Sequence, residues 1–239
     1  MTEQEFKKAT QELGIDITEI QLKQLEEYKN FLIEYNNHTN LTAIKTSNEI
    51  YLKHFYDSLT ISKVIDFNEP KTILDIGTGA GFPGIVLAII FPNQTVHLMD
   101  SNHKKIDFLD ALIQKIQIKN VKTIYARSEE YALSHKEEYD IITSRAVAEL
   151  RILLEISFPL LKINGLFIAM KSSIEKELEE AKDTIELLFG FIEQCITFEL
   201  PWNEGFRSII KIKKQKPTPS IYPRNYGTIR KKALKKKEF

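Results

Sequence analysis

The chain has 239 residues, 43% hydrophobic and 28% charged, with 33 basic against 33 acidic residues, which is the balance of a water-soluble protein with one substantial core and a small accessory element. Its longest apolar runs, such as residues 84–91, fall far short of the roughly 20 residues of a spanning helix. The N-terminus "MTEQEFKKATQELG" lacks the apolar middle of a signal peptide, and the single Cys195 excludes an intrachain disulfide or a cysteine zinc cluster, so the expected address is the cytoplasm.

Helices come first. Thr2 with Glu5, and Thr18 with Gln21, are capping-box pairs. Leu25, Tyr28, Leu32 and Tyr35 then recur at helical spacing as one apolar stripe. "NNHTNLTAI" breaks that helix, and Ser47 or Asn48 caps another running through His54 and Asp57 toward Val64. Residues 1–69 therefore read as a helical extension.

From about Pro70 the pattern changes. "KTILDI", "TVHLMD", "VKTIYA", "YDIITS" and "GLFIAMK" are strand-like runs. Helical patterns follow them at 83–91, 103–117, 128–135, 147–161 and 174–189. Strands alternating with helices imply a parallel sheet built through right-handed crossovers. "FIEQCITFEL" and "RSIIKIKK" have no helix between them and read as an antiparallel hairpin at the sheet edge. Seven strands ending in a reversed pair are the Rossmann-like class I arrangement of S-adenosylmethionine-dependent methyltransferases, here spanning residues 70–215, whereas a plain dinucleotide fold would continue βαβ.

"LDIGTGAGFPG" (Leu74 to Gly84) holds four of the nine glycines. Gly79, Gly81 and Gly84 match G-x-G-x-x-G, a weak signal, because a helix N-terminus receives any carboxylate or phosphate. The more specific pattern is Asp75-x-Gly77-x-Gly79-x-Gly81, with Asp100 ending the next strand, placed to accept hydrogen bonds from two ribose hydroxyls. A carboxylate beside the loop suits a sulfonium and an amino-acid moiety and repels a pyrophosphate, so S-adenosylmethionine is favoured over a nicotinamide dinucleotide. Ser128 and Glu129 follow the third strand, where such folds touch adenine; they equally suit an N-cap and a first-turn acid.

Ser144 and Arg145 stand at the carboxyl end of the fourth strand, on the ligand side. The Asn/Asp-Pro-Pro-aromatic turn of exocyclic-amine methylation is missing there, and Cys195, in an edge strand, reads as a small buried apolar residue rather than a nucleophile. What remains is a lone-pair acceptor such as a purine ring nitrogen, which needs alignment but no base; Arg145 suits guanine. None of His38, His54, His97, His103 and His135 pairs at ligand spacing with another His or Cys, so no metal is expected. His54 and Asp57 share a helical face, and either bond each other or orient an interface with the site. From Lys211 onward eleven basic residues meet one acid, leaving the first 210 residues with 22 basic and 32 acidic ones. The tail, 216–239, is either a handle for a polyanion or a solvated end; the interleaved Tyr222, Arg224 and Tyr226 favour nucleic acid.

Together "NLTAI" (40–44), "HFYDSL" (54–59), "DIGTGAGFPG", "MDS" (99–101), "ARSEE", "TSRAVA" and "YPRNYG" (222–227) resemble the RsmG (GidB) family, across nearly the whole chain. "GFPG", "SRA" and the N-terminal "HxxDS" are the specific part. The resemblance implies methyl transfer from S-adenosylmethionine to one guanine N7 of 16S rRNA, free or in the small ribosomal subunit; the chain is expected to be a monomer. It implies cofactor contacts at Gly77, Phe82, Ser128, Glu129 and Arg145, and RNA contacts at Arg127, Arg145, Lys171 and Arg224, to which Ser144 is added from its place at the strand end. "MKSS" and "KING" depart from the family's glycines around the fifth strand, which bears on Lys171. Two other functions compete: a nicotinamide-dependent reductase, and a non-enzymatic RNA-binding factor with a vestigial pocket.

Overall fold

A computed structural model describes residues 1–39, 41, 42, 44, 46–145 and 147–236, with the side chains of 37–39 outside the description. "NLTAI" is therefore seen only at Leu41, Thr42 and Ile44, and Ala146 of "TSRAVA" and the side chain of His38 lie outside the described residues.

The seven strands expected are present: β1 (Thr72–Ile76), β2 (Thr95–Asp100), β3 (Val121–Tyr125), β4 (Tyr139–Arg145), β5 (Leu161–Lys171), β6 (Gly190–Glu199) and β7 (Phe206–Lys214). They form one sheet in the order β3-β2-β1-β4-β5-β7-β6. β2 and β3, β1 and β4, and β4 and β5 pair in parallel, while β7 runs antiparallel to both β5 and β6. The reversed pair at the edge is the hairpin read from the sequence. The chain divides into two compact units: residues 1–71 with 77–125, and residues 72–76 with everything from Ala126 onward.

The first unit holds the N-terminal helices α1 (Glu3–Glu12), α2 (Glu19–Thr39), α3 (Ser47–Glu49) and α4 (Asp57–Leu59), together with α5 (Gly84–Ile90) and α6 (His103–Ile116). Both capping boxes form. Glu5 N–H donates to Thr2 Oγ1 at 3.3 Å while Thr2 N–H donates to Glu5 Oε2 at 2.7 Å; Thr18 and Gln21 repeat the exchange at 3.3 and 2.9 Å. Gln21 Nε2 also donates to the carbonyls of Ile89 and Ile90, satisfying the open end of α5. Leu25, Tyr28 and Leu32 are fully buried, as the stripe requires, and Phe6, Phe55, Ile85 and Phe108 complete the core.

Two details differ from the sequence reading. α2 continues to Thr39, because the buried Asn36 side chain exchanges two hydrogen bonds with the Thr42 backbone and so closes the turn beyond. The next helical segment is capped by Thr46, whose hydroxyl accepts from Glu49 N–H, not by Ser47 or Asn48, and it runs as a π-helical stretch over Ile50–Tyr56.

The second unit holds β1, β4–β7, α7 (Ser128–Tyr131), α8 (Leu150–Ser157), α9 (Glu175–Leu187) and α10 (Tyr226–Lys231). Its core includes Tyr139, Ile142, Leu153, Phe158, Phe167 and Ile210. Lys214 is wholly buried yet satisfied, donating to Glu137 and to the carbonyls of Phe158 and Leu161. Cys195 is exposed on β6, not buried: alternation along an edge strand turned it to solvent.

Candidate active site

The glycine loop leaves β1 and turns into α5. Gly77, Gly79 and Gly81 have φ of 68°, 60° and 101°, conformations that side-chain-bearing residues rarely hold. Gly77 and Thr78 N–H donate to the Met99 carbonyl at 2.8 and 3.1 Å, tying the turn to the end of β2. Gly79 N–H donates to Asp100 Oδ2 at 3.1 Å, so the second acid of the sequence pattern grips the loop directly. Asp100 also takes Lys105 at 3.2 Å and the Asn102 N–H at 2.9 Å, and stays 6% exposed. A Cβ on Gly79 would meet nothing nearer than the Gly77 carbonyl at 3.9 Å; that face of the loop is open. Asp75 is completely buried in β1, opposite Thr143.

"FPG" and "HFYDSL" meet in the same unit. The Phe82 ring stacks on His54, with centroids 4.2 Å apart, and on Tyr28 at 5.2 Å. Tyr28 Oη donates to the Ala80 carbonyl at 2.5 Å. His54 Nε2 shares a hydrogen bond with Thr42 Oγ1 at 3.0 Å, and Thr42 Oγ1 accepts from Ile44 N–H. The N-terminal helices thus grip the glycine loop at Ala80 and Phe82, and His54 is the link between that loop and "NLTAI". The sequence offered this interface as one of two readings; the Tyr28 contact carried no sequence signal, being 52 residues distant.

In the second unit the predicted residues separate into two groups. Arg145 is the last residue of β4, half-buried, in register with Met170. Ser128 and Glu129 open α7, but Arg127 occupies the cap position, and the Ser128 hydroxyl donates to the Ile156 carbonyl at 2.9 Å. The N-cap reading of Ser128 is corrected accordingly: its side chain ties α7 to α8. Ser144 is also spent on structure. Fully buried, it donates to the Ile76 carbonyl at 3.0 Å, out of reach of a macromolecule.

Lys171 and Arg224, expected to face RNA, are committed to carboxylates. Lys171 is 8% exposed, 2.8 Å from Glu177, and donates to the Ala148 carbonyl. Arg224 forms a two-pronged pair with Glu155, both bonds 2.7 Å, and adds Lys232's carbonyl at 2.8 Å. Glu155 is 1% exposed. Arg151 donates to the carbonyls of Ile229 and Arg230, and Ile229 is buried. As far as the described residues reach, to Lys236, the tail is held to the body: α10 is docked on α8, and Lys235 and Lys236 lie against Asp183 and Glu186 of α9.

The chain matches the GidB family, described as rRNA small subunit methyltransferase G, over residues 21–200. It is 43% identical to the ribosomal RNA small subunit methyltransferase G of Bacillus cytotoxicus and 44% identical to that of Staphylococcus aureus strain Newman, each over 99% of this chain and the whole of the relative. Among solved structures, a SAM-dependent methyltransferase from Aquifex aeolicus superposes with a TM-score of 0.57 at 16% identity, covering 74% of this chain and 97% of that one. TYW2 of M. jannaschii in complex with AdoMet gives 0.51 at 20% identity, covering 61% and 68%. These two share the fold; the full-length relatives and the family match place this chain in the GidB family of rRNA small subunit methyltransferases.

Proposed function

We propose that the chain methylates N7 of a single guanine of 16S rRNA, by holding donor and acceptor in line without a general base. The enzyme class is that of its family, an S-adenosylmethionine-dependent rRNA methyltransferase. The loop fits that cofactor: three consecutive alternate glycines with positive φ leave an open face at Gly79, and Asp100 stands at its edge. S-adenosylmethionine, when bound, supplies an electrophilic methyl group on a sulfonium. Asp75, Gly77, Gly79, Gly81, Phe82 and Asp100 are assigned to holding it, with the backbone of Ser128 and Glu129, and Arg145, completing the set.

The observation that carries the N7 assignment is the end of β4. The side chain preceding Arg145 is a serine already bonded to Ile76, and no Pro-Pro turn is present to accept amine hydrogens. Guanine N7 has a lone pair and no hydrogen, so alignment and exclusion of water suffice. Arg145 is assigned to orient the base through O6 and a neighbouring phosphate, which leaves the N7 lone pair free to attack the methyl group. Nucleoside mass spectrometry of 16S rRNA from a deletion strain is expected to show loss of one N7-methylguanosine, restored by the gene; persistence of that mark would refute the assignment. We further assign an rRNA partner within the small subunit, a cytoplasmic location and a monomeric state; no helix among the described residues is long and apolar enough to cross a membrane.

The His54 contacts make a related prediction. His54→Ala removes one stacked ring pair and one hydrogen bond from the loop support, each worth about 1 kcal/mol. The Kd for S-adenosylhomocysteine in a calorimetric titration should rise roughly 5- to 30-fold, with His54→Phe, which keeps the stack on Phe82, intermediate. An unchanged Kd in the alanine variant would separate the N-terminal helices from cofactor binding.

A further inference from the structure

The four cations expected at the RNA differ in what the fold leaves available. Lys171 and Arg224 are held by buried or half-buried carboxylates. Arg127 is exposed and makes no ion pair among the described residues, although Glu129 and Glu130 are two and three positions away. Its guanidinium lies 5.9 Å over the centre of the Tyr226 ring instead. Tyr226 reaches that position because the tail is fixed on both sides of it, by Arg224 on Glu155 before and by Arg151 on the Ile229 and Arg230 carbonyls after. The Tyr226 hydroxyl has no hydrogen-bond partner among the described residues. Beside this pair opens a cleft of about 510 Å³ lined by Arg127, Glu129, Leu133, Pro223, Asn225 and Tyr226. Its volume falls in the roughly 300–1,000 Å³ of small-ligand sites. Leu133, 71% exposed, lies uncovered on its wall.

We infer that the Arg127–Tyr226 cleft binds one unpaired nucleotide of the rRNA substrate, its base against the tyrosine ring and Leu133. This rests on the rRNA-methyltransferase reading above. A phosphate alone is the wrong ligand, because two carboxylates flank the cleft; a base presents ring faces to Tyr226 and Leu133 and amino hydrogens to Glu129. The unpaired guanidinium is then left for the phosphate at the rim. A duplex hides its base faces, so the nucleotide is single-stranded. The walls belong to α7, α10 and the residues flanking them, whereas reacting groups in α/β sheets sit at the strand ends, so this nucleotide flanks the one methylated. The C-terminal tail, on this account, serves as the scaffold that presents Tyr226 and acts less as a loose electrostatic handle.

The test uses the full chain and a 16S-derived RNA containing the methylated guanine, with binding read by fluorescence anisotropy. Loss of one base–aromatic stack corresponds to roughly 5- to 150-fold in Kd; Tyr226→Ala should weaken RNA binding within that range and Tyr226→Phe by less than about twofold. Arg127→Gln should lower the slope of log K against log salt by about one. The S-adenosylhomocysteine Kd should stay unchanged in all three variants. Ultraviolet crosslinking of the unaltered protein to the same RNA should yield a crosslinked peptide containing Tyr226. Binding by Tyr226→Ala within twofold of wild type, an equal loss of cofactor binding in that variant, or crosslinks only elsewhere would each overturn the inference. If the wild-type protein neither binds nor methylates the RNA, the parent reading falls and takes this one with it; normal methylation with undiminished binding by Tyr226→Ala defeats this inference alone.

Discussion

Alanine at Gly81 is expected to destabilise the protein by about 2–5 kcal/mol, whereas alanine at Gly79 leaves it folded but with a weakened hold on its cofactor. A Cβ on Gly81 would stand 2.7 Å from Ile85 Cγ1, 2.9 Å from Tyr28 Oη and 3.0 Å from Leu109 Cδ2, at a φ of 101°. None of these neighbours can retreat easily: Ile85, Tyr28 and Leu109 are fully buried, and Tyr28 is bonded to Ala80. Strain and overpacking add, and a chain of this size loses about 2–4 °C of Tm per kcal/mol, so a fall of roughly 5–20 °C is expected. Gly79 differs in kind. Its φ of 60° costs alanine about 1–2 kcal/mol, but the methyl group meets no atom nearer than 3.9 Å. It projects into the face assigned to the cofactor. Thermal unfolding and calorimetry with S-adenosylhomocysteine separate the two: a large Tm loss for Gly81→Ala, and for Gly79→Ala a loss of affinity of at least about tenfold, the equivalent of one well-placed contact. Full affinity in Gly79→Ala would move the cofactor elsewhere.

Glu155→Ala should be the most damaging change outside the loop. Glu155 is 1% exposed and accepts three hydrogen bonds from Arg224, two from the guanidinium and one from its N–H at 3.1 Å. Removing one partner of a buried pair costs about 3–5 kcal/mol, which the 22% exposure of the arginine reduces to about 2–4 kcal/mol. That latch is the strongest of the ties that hold residues 224–236, so limited proteolysis should cut this segment faster in the variant than in the wild type. Arg224→Lys should restore little, because an ammonium cannot match the two-pronged geometry. A tail equally protected in Glu155→Ala would mean that Ile229 and the Arg151 contacts suffice.

Much of the fold could be read from the order of residues. β-branched runs alternating with helical patterns give the parallel strands, and two successive runs without a helix give the edge hairpin, because both signals are local. The acids and glycines at the strand ends were legible for the same reason. The pairing of distant side chains was not. Arg224 reads as an exposed cation in a basic tail until its partner, 69 positions earlier on the buried face of α8, is known. Lys171 misleads similarly, since only the fold brings Glu177 of α9 against it. Ser144 and Ser128 look like site hydroxyls, yet each bonds a carbonyl from another segment, Ile76 and Ile156. Free arginines and structural arginines carry the same letter, and Arg127 is told apart by what its guanidinium lacks.

N7 methylation by this chain is read out by incubating the purified protein with tritiated S-adenosylmethionine and small subunits from a strain lacking the gene, then digesting the 16S rRNA to nucleosides. Tritium is expected in N7-methylguanosine alone, from a single position, and at a strongly reduced level with Gly79→Ala when the cofactor is below saturation. Label in any other nucleoside, or in N7-methylguanosine at unchanged level with Gly79→Ala, would contradict this assignment.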